Sequence, residues 1–169
     1  MKTLYINARF IDRPITGVER VAYEVVKTLL TEFVDSSGRC LFENRRYQVK
    51  LIAPRLATGA SEFFGHPIQR RSLRQAKDIN GNALYGHFWE QFELPLLTRD
   101  GTLLSLCNTT VLAKRDQCVF IHDAQPFAIP SAFRPWLRSW YQLNYFLGAH
   151  IAARVLVNSY FTSRELSKH

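Results

Sequence analysis

His122 and Asp123 follow directly on the apolar run Cys118-Val119-Phe120-Ile121, and Pro126 closes the segment. A short apolar run bounded by a turn is the pattern of a central parallel strand, covered by helices on both faces. The carboxyl ends of such strands open onto the ligand crevice of an α/β sheet. An imidazole placed there can donate to a substrate hydroxyl or share charge developing at a reacting centre. The plainer alternative is a histidine bonded to a nearby carbonyl, with Asp123 opening a turn.

Thr16-Gly17-Val18-Glu19-Arg20 could receive a phosphate or a sugar hydroxyl on the exposed N–H groups of a helix start, with Gly17 permitting close approach. The same residues also fit a capping box, in which the Thr16 hydroxyl and the Glu19 carboxylate satisfy those donors. Neither GxGxxG nor a Walker lysine is present, which excludes the ordinary dinucleotide and P-loop signatures. Asn108, Thr109 and Thr110 end an earlier strand pattern, where small polar side chains suit a hydroxyl-rich ligand or simply a turn. Ser159, after Val155-Leu156-Val157, reads as a ligand contact or a helix cap. Arg134, Trp136, Arg138, Trp140 and Tyr141 suit an interfacial membrane helix, although Trp136, Leu137, Trp140, Tyr141 and Leu147 also make a core-facing stripe, the expected use of most of them. Arg70, Arg71, Arg74 and Lys77 form a second basic patch, expected as a solvated loop.

The elements that must carry these residues follow from periodicity. Strands are expected at Thr3–Ile6, Tyr47–Ala53, Pro67–Arg71, Thr102–Cys107, Cys118–His122 and Arg154–Asn158. Val18, Val21, Ala22, Val25, Val26, Leu29, Leu30 and Phe33 trace one stripe of a four-turn helix. A second stripe runs from Leu84 through Trp89 to Leu96, interrupted by Pro95, and a long helix is expected over Phe133–Ala153. A further helix begins at Ser159, with Ser159 or Thr162 as cap, and Asp35–Arg46 reads as a polar connector. Strands alternating with helices predict an α/β, Rossmann-like three-layer domain with a mainly parallel sheet.

At 169 residues a single domain is expected, and the apolar content of 47% excludes bulk disorder. A net charge of +8 favours an anionic partner without choosing one. Cys40, Cys107 and Cys118 are widely spaced, which implies neither a disulfide framework nor a zinc site and suits a reducing compartment. The five histidines have no ligand-like spacing, so no metal site is expected, and no GxSxG elbow is present. The start of the chain lacks the apolar stretch of a signal peptide, and no run reaches the length of a spanning helix. The chain stops inside a helical pattern, as a piece of something longer would.

Taken together, the segments Tyr5-Ile6-Asn7-Ala8-Arg9-Phe10, Thr16–Arg20, Trp89-Glu90-Gln91-Phe92-Glu93-Leu94-Pro95, Phe120-Ile121-His122-Asp123 and Val157–Ser163 resemble the N-terminal half of a GT-B glycosyltransferase, of the retaining class called family 4. The resemblance covers nearly the whole chain. It implies that residues 1–169 are the acceptor-side domain, with the C-terminal donor-binding domain absent from this chain. It implies transfer of a sugar, with retention, from a nucleotide-diphosphate sugar to a polysaccharide or lipid-linked glycan acceptor. His122 matches the histidine near the reaction centre, while Gly17, Arg20, Asn108, Thr109, Asp123 and Ser159 become substrate-binding candidates. No metal or other cofactor is implied, and the fragment alone is expected to be inactive. A cytoplasmic location is expected, with peripheral contact at the inner face of the membrane; nucleic acid is not an expected partner. Glu19 stands where many relatives have a second small residue. Two rivals share these features: a sugar-nucleotide epimerase of the same architecture, and a non-catalytic basic binding module.

Overall fold

The computed structural model describes residues 1–55, 59–72 and 83–168. Its strands are β1 (Lys2–Asn7), β2 (Arg39–Phe42), β3 (Arg45–Ala53), β4 (Glu62–Phe63), β5 (His66–Arg70), β6 (Gly101–Ser105), β7 (Gln117–Ile121) and β8 (Arg154–Val157). The helices are α1 (Gly17–Thr28), α2 (Ala83–Phe88), α3 (Leu94–Leu97), α4 (Gln125–Ala128), α5 (Pro135–Ile151) and α6 (Tyr160–Leu166). A π-helical turn, Leu29–Phe33, extends α1, and a second, Trp89–Glu93, joins α2 to α3.

These strands form one mixed, mostly parallel sheet of eight strands in the order β4-β5-β3-β1-β6-β7-β8, with β2 paired to β3. Six of them, β5-β3-β1-β6-β7-β8, are parallel throughout. In chain order that is 3-2-1-4-5-6, the doubly wound Rossmann arrangement, so the fold is α/β and Rossmann-like. The order reverses between β1 and β6, and ligands of such sheets bind outside the strand ends at that point.

Alternation along β1 sends Ile6 to one face and Tyr5 to the other. On the first face Ala22, Val26 and Leu30 of the α1 segment pack against Ile6, Val49 and Leu51. On the second, Trp89 and Leu94 cover Tyr5, Ile52 and Leu103, and Tyr145 of α5 covers Val119 and Ile121. Trp89 is wholly buried, with its indole N–H donating to the Arg71 carbonyl at 2.9 Å. Burying a side chain of this size contributes upward of about 2 kcal/mol, provided its polar edge is satisfied.

The structure departs from the sequence expectations at several points. The connector at Asp35–Arg46 holds β2, which returns through Glu43 and Asn44, both at positive φ (46° and 60°), into β3. Only part of the α1 stripe is covered: Ala22, Val26 and Leu30 are buried, whereas Val21, Val25 and Phe33 are exposed. Trp136 faces solvent, because α5 turns Asn144, Tyr145 and Gly148 toward the sheet instead. Arg70 is not solvated but grips Asp12, Nη2 donating to Oδ1 at 2.8 Å and Nη1 pairing with Oδ2. Arg74 and Lys77 of that patch lie outside the described residues. Pro95 does not break its helix but sits in the first turn of α3, where a missing N–H costs nothing.

Gly148 lets α5 lie directly on Thr110; a Cβ at that position would collide with the Thr110 hydroxyl. Gly148→Ala should therefore destabilise the fold by about 1–3 kcal/mol through overpacking. That outcome would override the roughly 1 kcal/mol by which Ala is the better helix former. Urea melts of Gly148→Ala alone and combined with Thr110→Ala check this, the second change restoring most of the loss.

Candidate functional site at the switch point

The polar residues of the strand ends gather where β1 and β6 diverge. Asn7 ends β1, and Arg9 lies in the turn that follows. Both reach Glu90 of the π-helical turn: Asn7 Nδ2 donates to Oε1 at 2.9 Å, and Arg9 Nη1 to Oε2 at 2.5 Å. His87 Nδ1 stands 3.4 Å from the same Oε2. Burial alone would push the Glu90 carboxyl up, but Arg9, His87 and Asn7 outweigh it and hold the group below the ordinary glutamate value. Glu90 is therefore an ionised, fully committed structural anion and not a proton carrier. Gly86 makes this possible, since a Cβ there would overlap the Arg9 guanidinium.

Arg13 and Glu19 form a second pair at 2.9 Å, with Arg13 half-exposed and Glu19 buried. The Thr16 hydroxyl donates to the Glu19 carboxylate and does not cap α1, so the hydroxyl half of the expected capping box is replaced by a side-chain pair. The Glu19 carboxylate still receives the Thr16 backbone N–H; burial opposes its ionisation, but Thr16 and Arg13 prevail and lower its pKa. Asn7, Arg9, Arg13, Glu90, Leu106 and Cys107 line one small depression between these pairs. Burial, reinforced by Glu19 and Glu90, pushes the Cys107 thiol up to about 12. Cys107 is a thiol at neutral pH, which removes it as a thiolate nucleophile.

Leu106 links this depression to His122, whose Nε2 lies 2.6 Å from the Leu106 carbonyl. A carbonyl only accepts, so Nε2 carries a proton and Nδ1 is the other edge of the ring. The imidazole is 7% exposed and lies against Phe120, with ring centres 4.5 Å apart. Among the described residues Nδ1 has no hydrogen-bond partner, yet it is not one of the fully buried unpartnered atoms. His122 is thus a buried histidine bonded to a nearby carbonyl, the plainer of the two sequence alternatives.

The remaining candidates divide. Asn108 adopts φ +57°, a left-handed conformation that Asn tolerates, and its Oδ1 accepts the His122 N–H at 2.7 Å. That bond leaves its Nδ2 protons for a ligand. Asp123 is half-buried, with Oδ1 on the Gln125 N–H at 3.0 Å. Gly17 is exposed with open space around it, so a ligand can reach its backbone. Arg20 is exposed and joins neither pair. Thr109 turns inward, 5% exposed, its hydroxyl on the Cys107 carbonyl at 3.2 Å. Ser159 caps α6, accepting the Thr162 N–H at 3.1 Å, while the Thr162 hydroxyl donates to the His122 carbonyl at 3.3 Å.

Sequence reasoning assigned no role to Arg9, Arg13, His87, Glu90 or Asn144. A signal existed for Glu90, since a carboxylate on the apolar side of a helix needs a buried partner. Among the described residues no cluster of three or more His, Cys, Asp or Glu could hold a metal ion.

Compared with known proteins, this chain matches no family model, no curated protein and no solved structure. Its class therefore stands on its own geometry: a Rossmann-like α/β domain with a polar, partly cationic rim at the topological switch point.

Proposed function

We propose that the chain is the acceptor-side half of a retaining glycosyltransferase, working on a nucleotide sugar held by a second domain in the intact enzyme. One observation carries the reading. The segments of the family resemblance, scattered over most of the sequence, converge on one rim: Asn7 and Arg9 on Glu90, Glu19 on Arg13, and Thr162 on His122.

In this reading the anomeric bond to the diphosphate breaks as the acceptor hydroxyl attacks from the same face, and the hydroxyl proton passes to the departing phosphate oxygen. His122 orients the sugar through Nδ1, with its tautomer fixed by the Leu106 carbonyl. Asn108 Nδ2 and the Gly17 backbone supply donors to hydroxyls, and Arg13 and Arg20 supply positive charge. Cys107 stays protonated, so no thiolate intermediate enters.

The test uses the intact enzyme, nucleotide-sugar donors and glycan acceptors. Release of nucleoside diphosphate should require acceptor; release of free nucleotide, or epimerised donor, without acceptor would exclude transfer. His122→Ala should lower turnover about a hundredfold or more, with an unchanged far-UV spectrum. Turnover near that of the unaltered enzyme would remove His122 from the reaction.

A further inference from the structure

We infer that the first face of the sheet, where it runs over β6, β7 and β8, is the seat of an amphipathic helix from elsewhere in the same polypeptide. The inference does not depend on the glycosyltransferase reading. On the second face these strands are complete: Leu103 clusters with Trp89 and Leu94, and Val119 and Ile121 with Tyr145. The first face is not. Register puts Ile6, Leu104, Cys118 and Arg154 in one row across β1, β6, β7 and β8, with Phe120 beside Leu156 farther along. Ile6 is wholly buried with α1, Leu104, Cys118 and Phe120 are half-buried, Arg154 is exposed, and Leu156 is 43% exposed. Cover thus fades strand by strand away from α1. α5 and α6 give none, since Tyr145 and Leu166 pack on the second face. Parallel strands are normally covered on both faces.

α1 supplies the wall of this trough. Tyr23 turns to Phe63 of β4, at the far edge of the sheet. Val21 and Val25 lie on the opposite side of the helix, toward β6, and both are exposed. Val25, Leu29 and Phe33 line an open hollow. A four-residue spacing such as Val21, Val25, Leu29 is the ridge against which a second helix packs. The floor from β6 to β8 is about 10 Å wide, room for one helix. A second copy of the chain does not suit it. Stacked on this face, it would press the outward side of its own α1 onto the floor, and that side carries Arg20, Glu24 and Lys27, charges that an apolar cover does not accept. Leu104 and Phe120 are continuous with the core beneath α1, and surface of that kind belongs to a permanent contact, which places the helix in the same polypeptide. One helix then accounts for both the half-covered strands and the overwide apolar stripe of α1. It would also close the underside of His122, whose ring rests on Phe120 with centres 4.5 Å apart.

Cys118 on the floor is a built-in probe, and Cys40 on β2, beyond α1, is its control; both are free and half-buried. Labelling with N-ethylmaleimide, read at each cysteine by mass spectrometry, is compared between residues 1–169 and the intact polypeptide. Cys118 should react at least about tenfold more slowly in the intact polypeptide, while Cys40 reacts alike in both. Within the intact polypeptide Cys118 should also lag behind Cys40, a comparison that needs no fragment. Val25→Ser with Leu156→Ser should lower the thermal midpoint of the intact polypeptide by about 4 °C or more and leave that of residues 1–169 unchanged. Equal labelling of Cys118 in the two proteins overturns the inference, as does an equal effect of the paired substitution. So does protection of Cys118 in residues 1–169 that vanishes on dilution, which would give the face to a second copy. Protection that appears only when another protein is added overturns it too. None of these readouts involves turnover, so they stand or fall separately from sugar transfer.

Discussion

Arg9→Met should cost the fold about 3–5 kcal/mol at neutral pH, the usual penalty for leaving one member of a buried ion pair behind. Glu90 is 3% exposed, and Arg9 is its close cationic partner. Without the guanidinium, Asn7 and the more distant His87 are the partners left to the carboxylate among the described residues. The pH dependence gives the stronger check. In the parent protein the folded Glu90 pKa is lowered. Its contribution is therefore present above the unfolded value of roughly 4.3 and is lost as pH falls through the lower folded value. In Arg9→Met burial becomes dominant and the folded pKa rises above the unfolded one, which reverses the sign. The deficit of the variant should then be largest at neutral pH and shrink as the solution is acidified. Urea titrations of both proteins across the acid range measure it. A deficit that is small, or that grows on acidification, would show that Glu90 is not held by Arg9.

Asn144→Leu should lower stability by about 2–3 kcal/mol, chiefly by stranding a buried backbone donor. Asn144 is 1% exposed; its Oδ1 accepts the Thr110 N–H and its Nδ2 donates to the Thr110 carbonyl, both at 2.9 Å. Gln91 also donates to that carbonyl, at 2.8 Å, so the N–H is the group that loses its partner. The damage should spread along the chain, because Asn108, two residues before Thr110, holds the His122 N–H. Faster amide exchange at both Thr110 and His122 is the expected signature. Exchange that quickens at Thr110 alone would separate the loop from the rim.

The parallel sheet was legible because its buried strands are short apolar runs between turn-formers, and β1, β3, β6, β7 and β8 fall close to where those runs lie. β2 was not, since its exposed residues follow no apolar alternation and its turn uses Glu43-Asn44 where a glycine pair would have announced a hairpin. In the stripe expected on α5, Trp136 is exposed, whereas Tyr141 packs against the core and Leu137, Trp140 and Leu147 are half-buried, because the stripe is wide and its edge falls outside the buried face. His122 and Asn108 stand just beyond the ends of β7 and β6, where the apolar runs placed them. Arg9 and Asn144 escaped because ion pairs and amide clamps between segments far apart in sequence leave no local pattern, whereas Glu90 carried a signal in its place on the apolar side of a helix but not the identity of its partner.

The wide turn at Trp89–Glu93 has one more consequence. A residue added to an ordinary helix rotates everything beyond it by about 100°. Here the extra residue is absorbed within one turn, so Trp89, Glu90 and Glu93 are all buried while Leu94 resumes the regular winding. This gives the crossover slack: it can insert or drop a position to re-aim the anion beneath the rim while the hydrogen-bonded ladder on either side keeps its alignment. Such a joint is where divergence among descendants of this domain should concentrate, altering what the crevice accepts while the scaffold persists.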